Sequence, residues 1–266
     1  MTRIAVFGAT GRMGQTLIRL IADDAALELA GAATEPGHDA VGHDAGSEAG
    51  RQPLGVTITD DPVAAVSGAD VAIDFTLPEA LRGNVATCVE QGVPLVIGTT
   101  GLSADDEAVL DGAAGSIALL HGRNMSVGVN VLTELARQAS RALGADFDVE
   151  INEAHHRHKV DAPSGTALQL GESVAEGRGV ALDSVAVYDR HGVGESRAPG
   201  SIGFSSQRAG SIVGDHAILF AADEEIIELR HRALDRAVFA RGALRAAVWI
   251  AERQAGRYSM NDVLGL

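Results

Sequence analysis

Cysteine is almost absent from this sequence: Cys88 stands alone among 266 residues. A single thiol rules out an internal disulfide and fits a reducing, cytoplasmic setting. Cys88 lies in a helical pattern beside Val85 and Val89, the setting of a small buried apolar residue rather than a nucleophile. Aromatic residues make up only 3% of the chain against 46% hydrophobic residues. The core must then be Val, Ile, Leu and Ala, which suits buried parallel strands and their packed helices. No apolar run reaches the roughly 18 residues that a membrane span needs. No leader is expected, because the chain passes from Met1-Thr2-Arg3 straight into an apolar strand. Positive charge is scarce: 21 Lys and Arg against 36 Asp and Glu give a formal net charge of -15. That balance argues against nucleic acid or an anionic membrane as partner. It also means that an anionic substrate needs a local positive site.

Such a site is present. Residues 153–166 read Glu-Ala-His-His-Arg-His-Lys-Val-Asp-Ala-Pro-Ser-Gly-Thr. Three of the nine histidines fall within positions 155–158, with Arg157 and Lys159 interleaved. Like charges raise each other's cost of ionisation, so the cluster calls for an anion. Pro163-Ser164-Gly165-Thr166 then opens a helical run over 166–176, and a helix N-terminus is a second anion site. Two anion sites a few residues apart suit a small ligand with two carboxylates. A metal is not expected, because Arg157 and Lys159 would repel a cation and no Cys is near.

At the other end of the chain, an apolar strand over residues 4–7 runs into Gly8-Ala-Thr-Gly11-Arg-Met-Gly14 and a helix over 15–22. Strand, glycine-rich turn and helix form the context of a dinucleotide fingerprint. Gly8 allows the tight turn, Gly11 lets backbone approach a pyrophosphate, and Gly14 lets helix pack on strand. A strand over 27–33 ends before Glu35, placed to accept hydrogen bonds from the adenosine ribose hydroxyls. Residues 37–53 read as a loop with His38 and His43 exposed. Strands follow over 54–59, 71–75, 95–97 and 117–120, with helices over 62–67 and 79–91 and another capped by Ser103. This alternation predicts a Rossmann-like, doubly wound parallel sheet. Gly8, Glu35, Phe75, Gly98 and Asn124 each sit just past a strand and would line one crevice.

Beyond residue 126 the pattern changes. A helix over 131–142, a strand over 147–151 carrying the histidines, and the helix over 166–176 precede antiparallel strands between 185 and 231. Arg208, in this tract, reads as structural. A helix over 239–254 returns the chain to the first domain. The expected division is 1–126 plus 237–266 for dinucleotide binding, and 127–236 as an α+β substrate and oligomerisation domain.

The run from Glu153 to Ala167 resembles, without a gap, the signature of the dihydrodipicolinate reductase family, which reduces 4-hydroxy-tetrahydrodipicolinate to tetrahydrodipicolinate in the diaminopimelate route to lysine. The glycine turn with Arg12-Met13-Gly14 is similar too, and the likeness extends through residues 258–264. The resemblance implies a homotetramer that uses NADH or NADPH. It places Gly8, Ala9, Thr10, Gly11, Arg12, Met13 and Glu35 on the dinucleotide. It places Gly98, Thr99, Thr100, Gly122, Arg123, Asn124 and Met125 at its nicotinamide end. It gives His155 as general acid, Lys159 as second proton donor and carboxylate partner, and His156, Gly165 and Thr166 as carboxylate binders. Three positions depart from the family pattern. Met125 stands for a common aromatic, Arg123 for a small residue, and Pro36 for a basic residue that pairs with the 2′-phosphate of NADP. Pro36 brings neither charge nor donor, so NADH is favoured, with Arg12 or Arg51 available to assist NADPH.

Two rivals are another NAD(P)-dependent imine or semialdehyde reductase on this scaffold and a dinucleotide sensor without catalysis. A semialdehyde dehydrogenase would want a cysteine at its site, and Cys88 sits in an ordinary helix. A sensor has no use for Lys159 and three histidines.

Overall fold

The computed structural model describes residues 1–266, with no helix long and apolar enough to cross a membrane. The chain runs β1 (Thr2–Phe7), α1 (Arg12–Ala22), β2 (Leu27–Ala33), α2 (Ala45–Glu48), β3 (Ile58–Thr59), α3 (Pro62–Val66), β4 (Val71–Asp74), α4 (Pro78–Gln91), β5 (Leu95–Ile97), α5 (Ala104–Ala113) and β6 (Ala118–His121). It continues with α6 (Val127–Leu143), β7 (Asp148–His155), α7 (Gly165–Gly177), β8 (Ala186–Val187), β9 (Ile202–Arg208), β10 (Gly214–Ala221) and β11 (Ile226–Ala233). It closes with α8 (Ala237–Ile250), β12 (Gly256–Tyr258) and α9 (Met260–Leu264). Two compact units result: Met1–Ser126 with Ala237–Gly265, and Val127–Arg236 with Leu266.

The first unit is a seven-stranded sheet in the order β12-β6-β5-β4-β1-β2-β3, parallel throughout. β4 and β5 are buried along their length and β1 from Ile4 onward, as expected of a sheet covered on both faces. Leu17, Ile18 and Ile21 give α1 one buried face at helical spacing. Ser103 and Asp106 close a capping box on α5. Strand order reverses between β1 and β4, and the crevice beyond such a point is where open α/β sheets bind ligands.

The second unit is a mixed five-stranded sheet, β11-β10-β7-β9-β8. Leu132 and Ala136 of α6 and Leu170 and Val174 of α7 pack on Val149, Ile151, Ile202, Ile218 and Phe220 of the sheet. The Rossmann-like sheet with a second, smaller unit is thus the architecture read from sequence.

Several local expectations are corrected. β9 runs parallel to β7 and to β8, not antiparallel. Most of 54–59 is not a strand: the Asp44 carboxylate accepts the N–H groups of Leu54 and Gly55, and Gly55 turns at φ +74°. The same Asp44 caps α2, a turn of helix inside the expected loop. His38 is half-buried and its Nδ1 accepts the Ala40 N–H at 3.1 Å. The last long helix ends at Ile250, and β12 follows as an unforeseen seventh strand on β6.

Candidate functional site

In the first unit, the parallel strands bring Gly8, Glu35, Phe75, Gly98 and Asn124 to the carboxyl end of one sheet. Gly8 turns at φ +72°, and the Gly11 N–H closes the turn on the Gly8 carbonyl at 3.0 Å. Ala9 donates its N–H to Ala33 at 2.8 Å, and the Thr10 and Thr34 hydroxyls lie 2.6 Å apart, which ties the turn to the end of β2. An added Cβ on Gly14 would overlap the Gly8 carbonyl, so α1 can approach β1 only with glycine there. Gly11 caps α1 and offers no side chain to close its first turn, where Arg12 and Met13 lie. The open helix end and bare backbone fit a pyrophosphate. Glu35 is exposed two residues beyond β2. Arg12 is exposed, whereas Arg51 is held by Asp23 through bonds of 2.6 and 3.1 Å.

Further along the same edge, buried Asp74 accepts from Thr76 N–H (2.7 Å), Thr76 Oγ1 (2.6 Å) and Asn84 Nδ2 (2.8 Å). Thr99 Oγ1 donates to the Thr76 carbonyl at 3.1 Å, which fixes the Gly98-Thr99-Thr100 turn. A Cβ on Gly98 would collide with the Phe75 ring. His121 Nε2 meets the Thr99 carbonyl at 3.2 Å, with Glu107 at 3.4 Å from its Nδ1. Burial, partly offset by Glu107, lowers the His121 pKa. Gly122 lies against the Met125 side chain, and Asn124 Oδ1 accepts the Ser126 N–H at 2.9 Å. Arg123 and Thr100 are exposed. All the first-unit candidates read from sequence lie along this edge; Asp74 and His121, which brace it, were not among them.

In the second unit, β7 buries Val149, Ile151, Glu153 and His155 in alternation. Period two puts Glu153 and His155 on one face, so the acid and the imidazole meet: His155 Nδ1 is 2.6 Å from Glu153 Oε2. His155 therefore belongs to the strand, with a carboxylate beside it as well as cations. His156 is half-buried after the strand end; desolvation, then the positive charge of Arg236, lowers its pKa. Lys159 is half-buried and its Nζ holds Asp161 Oδ1 at 2.8 Å. Ser164 caps α7, its Oγ accepting the Ala167 N–H at 3.2 Å, and Gly165 and Thr166 form the first turn. His155, His156, Lys159, Gly165 and Thr166 are thus gathered around one strand end and one helix start.

The chain matches two family models, described as dihydrodipicolinate reductase, N-terminus, over residues 2–125 and dihydrodipicolinate reductase, C-terminus, over residues 128–264. The 4-hydroxy-tetrahydrodipicolinate reductase of Ruegeria pomeroyi is 52% identical over 263 residues, 99% of this chain and 98% of that one. The enzyme of the same name from Alkalilimnicola ehrlichii is 54% identical over 265 residues, 100% of this chain and 99% of that one. The chain belongs to the dihydrodipicolinate reductase family. Among solved structures, the dipicolinate-bound dihydrodipicolinate reductase of Paenisporosarcina sp. TG-14 superposes with a TM-score of 0.76. It shares 25% identity over 97% of each chain. The chain is accordingly an oxidoreductase, a 4-hydroxy-tetrahydrodipicolinate reductase of lysine biosynthesis.

For a dihydrodipicolinate reductase, Cys88 carries no chemistry. It is fully buried in α4, and burial pushes its thiol up to about 12, so no thiolate nucleophile forms. The residues that sequence reading missed are the buried partners. Arg208, read as structural, grips Glu153 with both Nη atoms at 2.8 and 2.9 Å. His216 faces the His155 ring edge-on at 5.1 Å, and its Nε2 lies 3.1 Å from Ser164 Oγ.

Proposed function

We propose that the first unit carries the nicotinamide dinucleotide, NADH in preference to NADPH, and that the second carries the dicarboxylate substrate and the proton donors. The nicotinamide, when bound, supplies the hydride. The observation that carries this reading is the convergence of His155, His156 and Lys159 with the α7 N-terminus inside one unit. His156 and Lys159 take one carboxylate; the Gly165 and Thr166 N–H groups with the Thr166 hydroxyl take the other. A dicarboxylate ligand agrees with the dipicolinate held by the Paenisporosarcina relative. Hydride addition leaves negative charge on the conjugated substrate, and His155 is the proton donor that answers it, with Lys159 the second.

Three features support NADH. Glu35 repels a 2′-phosphate, Pro36 offers no donor, and Arg51 is engaged by Asp23. Gly8–Met13 and Glu35 hold the adenosine and pyrophosphate, and Gly98–Thr100 with Gly122–Met125 the nicotinamide. A homotetramer is supported by the second unit's sheet. Its helices cover one face, and Ile226, Glu228, Arg230 and Arg232 stand exposed along β11. The single buried thiol fits a cytoplasmic setting.

The test is oxidation of NADH and NADPH side by side, with the unstable substrate generated in situ from pyruvate and aspartate semialdehyde. NADH should be preferred. His155→Ala and Lys159→Ala should each lower turnover by about 10²- to 10⁴-fold. A preference for NADPH would overturn the cofactor reading, and near-normal turnover in both variants would overturn the assignment of the donors.

A further inference from the structure

Glu153 occupies an inward position of β7, where the alternation with Val149 and Ile151 would otherwise place an apolar residue. A buried carboxylate is costly unless donors satisfy it. Here each oxygen receives at least two, and the Ser206 side chain contributes a further hydrogen bond. Oε2 takes His155 Nδ1 at 2.6 Å and Arg208 Nη1 at 2.9 Å; Oε1 takes the Ser164 N–H at 3.2 Å and Arg208 Nη2 at 2.8 Å. Arg208 Nη2 also donates to the Asp161 carbonyl at 2.6 Å, in the loop that carries Lys159. One carboxylate therefore joins the strand bearing His155, the residue that caps α7, and the loop between them.

An ionised carboxylate accepts and does not donate. The partner nitrogen of the imidazole must then carry the hydrogen, which leaves Nε2 as the atom that exchanges a proton. On β10 the position facing that atom is a glycine, Gly214, whose added Cβ would stand 3.1 Å from His155 Nε2.

We propose that Glu153, held by Arg208, is a positioning residue for the reduction: it fixes His155 as the Nδ1–H tautomer, aims Nε2 at the substrate, and sets the α7 N-terminus at the same time. The proposal rests on the reading of His155 as proton donor. In the step, Nε2–H passes its proton to the reduced substrate, the ring is left neutral with its hydrogen on Nδ1, and solvent restores the proton at Nε2. Glu153 stays ionised throughout. Burial alone would raise its pKa, but the bonds from His155 and Arg208 outweigh that and hold it at about 2. Glu153 and Arg208 are linked to the donor in the way that outer partners orient metal-bound or triad histidines.

Two measurements test this. In the unaltered, 15N-histidine-labelled enzyme at alkaline pH, the His155 resonances are assigned by difference from His155→Ala. They should show a protonated Nδ1 and a bare Nε2; a ring with its hydrogen on Nε2 overturns the proposal. The second is Glu153→Gln, whose amide can offer an N–H to Nδ1 and has only one oxygen for the donors gathered around it. It should lower kcat by about 10- to 100-fold, leave KM for NADH unchanged and move the His155 hydrogen toward Nε2. Normal kcat with an unmoved tautomer overturns the positioning role while leaving the donor assignment intact. Full activity in His155→Ala would instead remove the donor reading itself.

Discussion

His216 Nε2 lies 3.1 Å from Ser164 Oγ, so a buried histidine of β10 touches the residue that caps α7. Burial pushes His216 down to about 4, and His155 adds to the shift; its Nδ1 has no partner. The folded value lies below the ordinary 6.5, so unfolding takes up a proton. Its contribution to stability is complete above about 6.5 and is lost as pH falls toward 4. His121 and His231 are also lowered by burial and act in the same direction. Glu153, held at about 2 against an ordinary 4.5, acts in a lower window, its contribution being lost as pH falls from 4.5 toward 2. Urea unfolding should therefore show about 2 kcal/mol less stability at pH 5 than at pH 7. His216→Asn should flatten that dependence, and an equal slope in the variant would refute the assignment.

The glycine turn gives a second expectation. A Cβ on Gly14 would overlap the Gly8 carbonyl and come within 2.8 Å of Ala9 Cα. Neither is the end of a flexible side chain, so backbone must move. Gly14→Ala should cost about 1–3 kcal/mol and weaken NADH binding, because the displaced turn is the one proposed to hold the pyrophosphate. Thermal unfolding together with the fluorescence of bound NADH checks both. Tight binding in a destabilised variant would mean that the turn is structural alone.

The parts legible in the sequence were those governed by local pattern. β5 is a continuous apolar run and β2 is broken only by Glu28, and their observed bounds are the ones the pattern predicts. The glycine turn and the Ser103 cap were likewise readable from residue type. What was not legible depends on partners distant in sequence. The parallel pairing of β7 with β9 joins strands about fifty residues apart, which no local signal encodes. β12 is three residues long and exists because β6 offers it an edge. Glu153 could have been found: the alternation Val149, Ile151, Glu153, His155 was present, but the histidine cluster drew the boundary of the strand four residues early.

Cys88 supplies a prediction of inertness. Its side chain is fully buried in α4 and its thiol is pushed up to about 12 by burial, with the Asp74 carboxylate contributing. Cys88→Ala should retain turnover and cost about 1 kcal/mol of stability. A disulfide reagent should modify the native enzyme only at the rate of unfolding and should react at once in urea. Rapid modification with loss of activity under native conditions would return the thiol to consideration as a functional group.

Gly214 offers the sharpest test of crowding at His155, the proposed proton donor. It is buried at the start of β10 opposite Ala233, and its φ is not left-handed, so alanine suits the backbone. On strand propensity alone the substitution would be neutral or slightly stabilising. Its Cβ, however, would stand 3.1 Å from His155 Nε2 and 3.6 Å from the His216 ring. The His155 ring cannot readily yield, since Glu153 holds Nδ1 and His216 packs edge-on against it. Gly214→Ala should therefore cost about 1 kcal/mol of stability while kcat falls about tenfold, a loss of roughly 1.4 kcal/mol in the transition state. KM for NADH should not change, because the dinucleotide is assigned to the other unit. Steady-state kinetics beside a urea titration separates the two effects. An unchanged kcat would show that the proton leaves His155 by a route that does not pass Gly214.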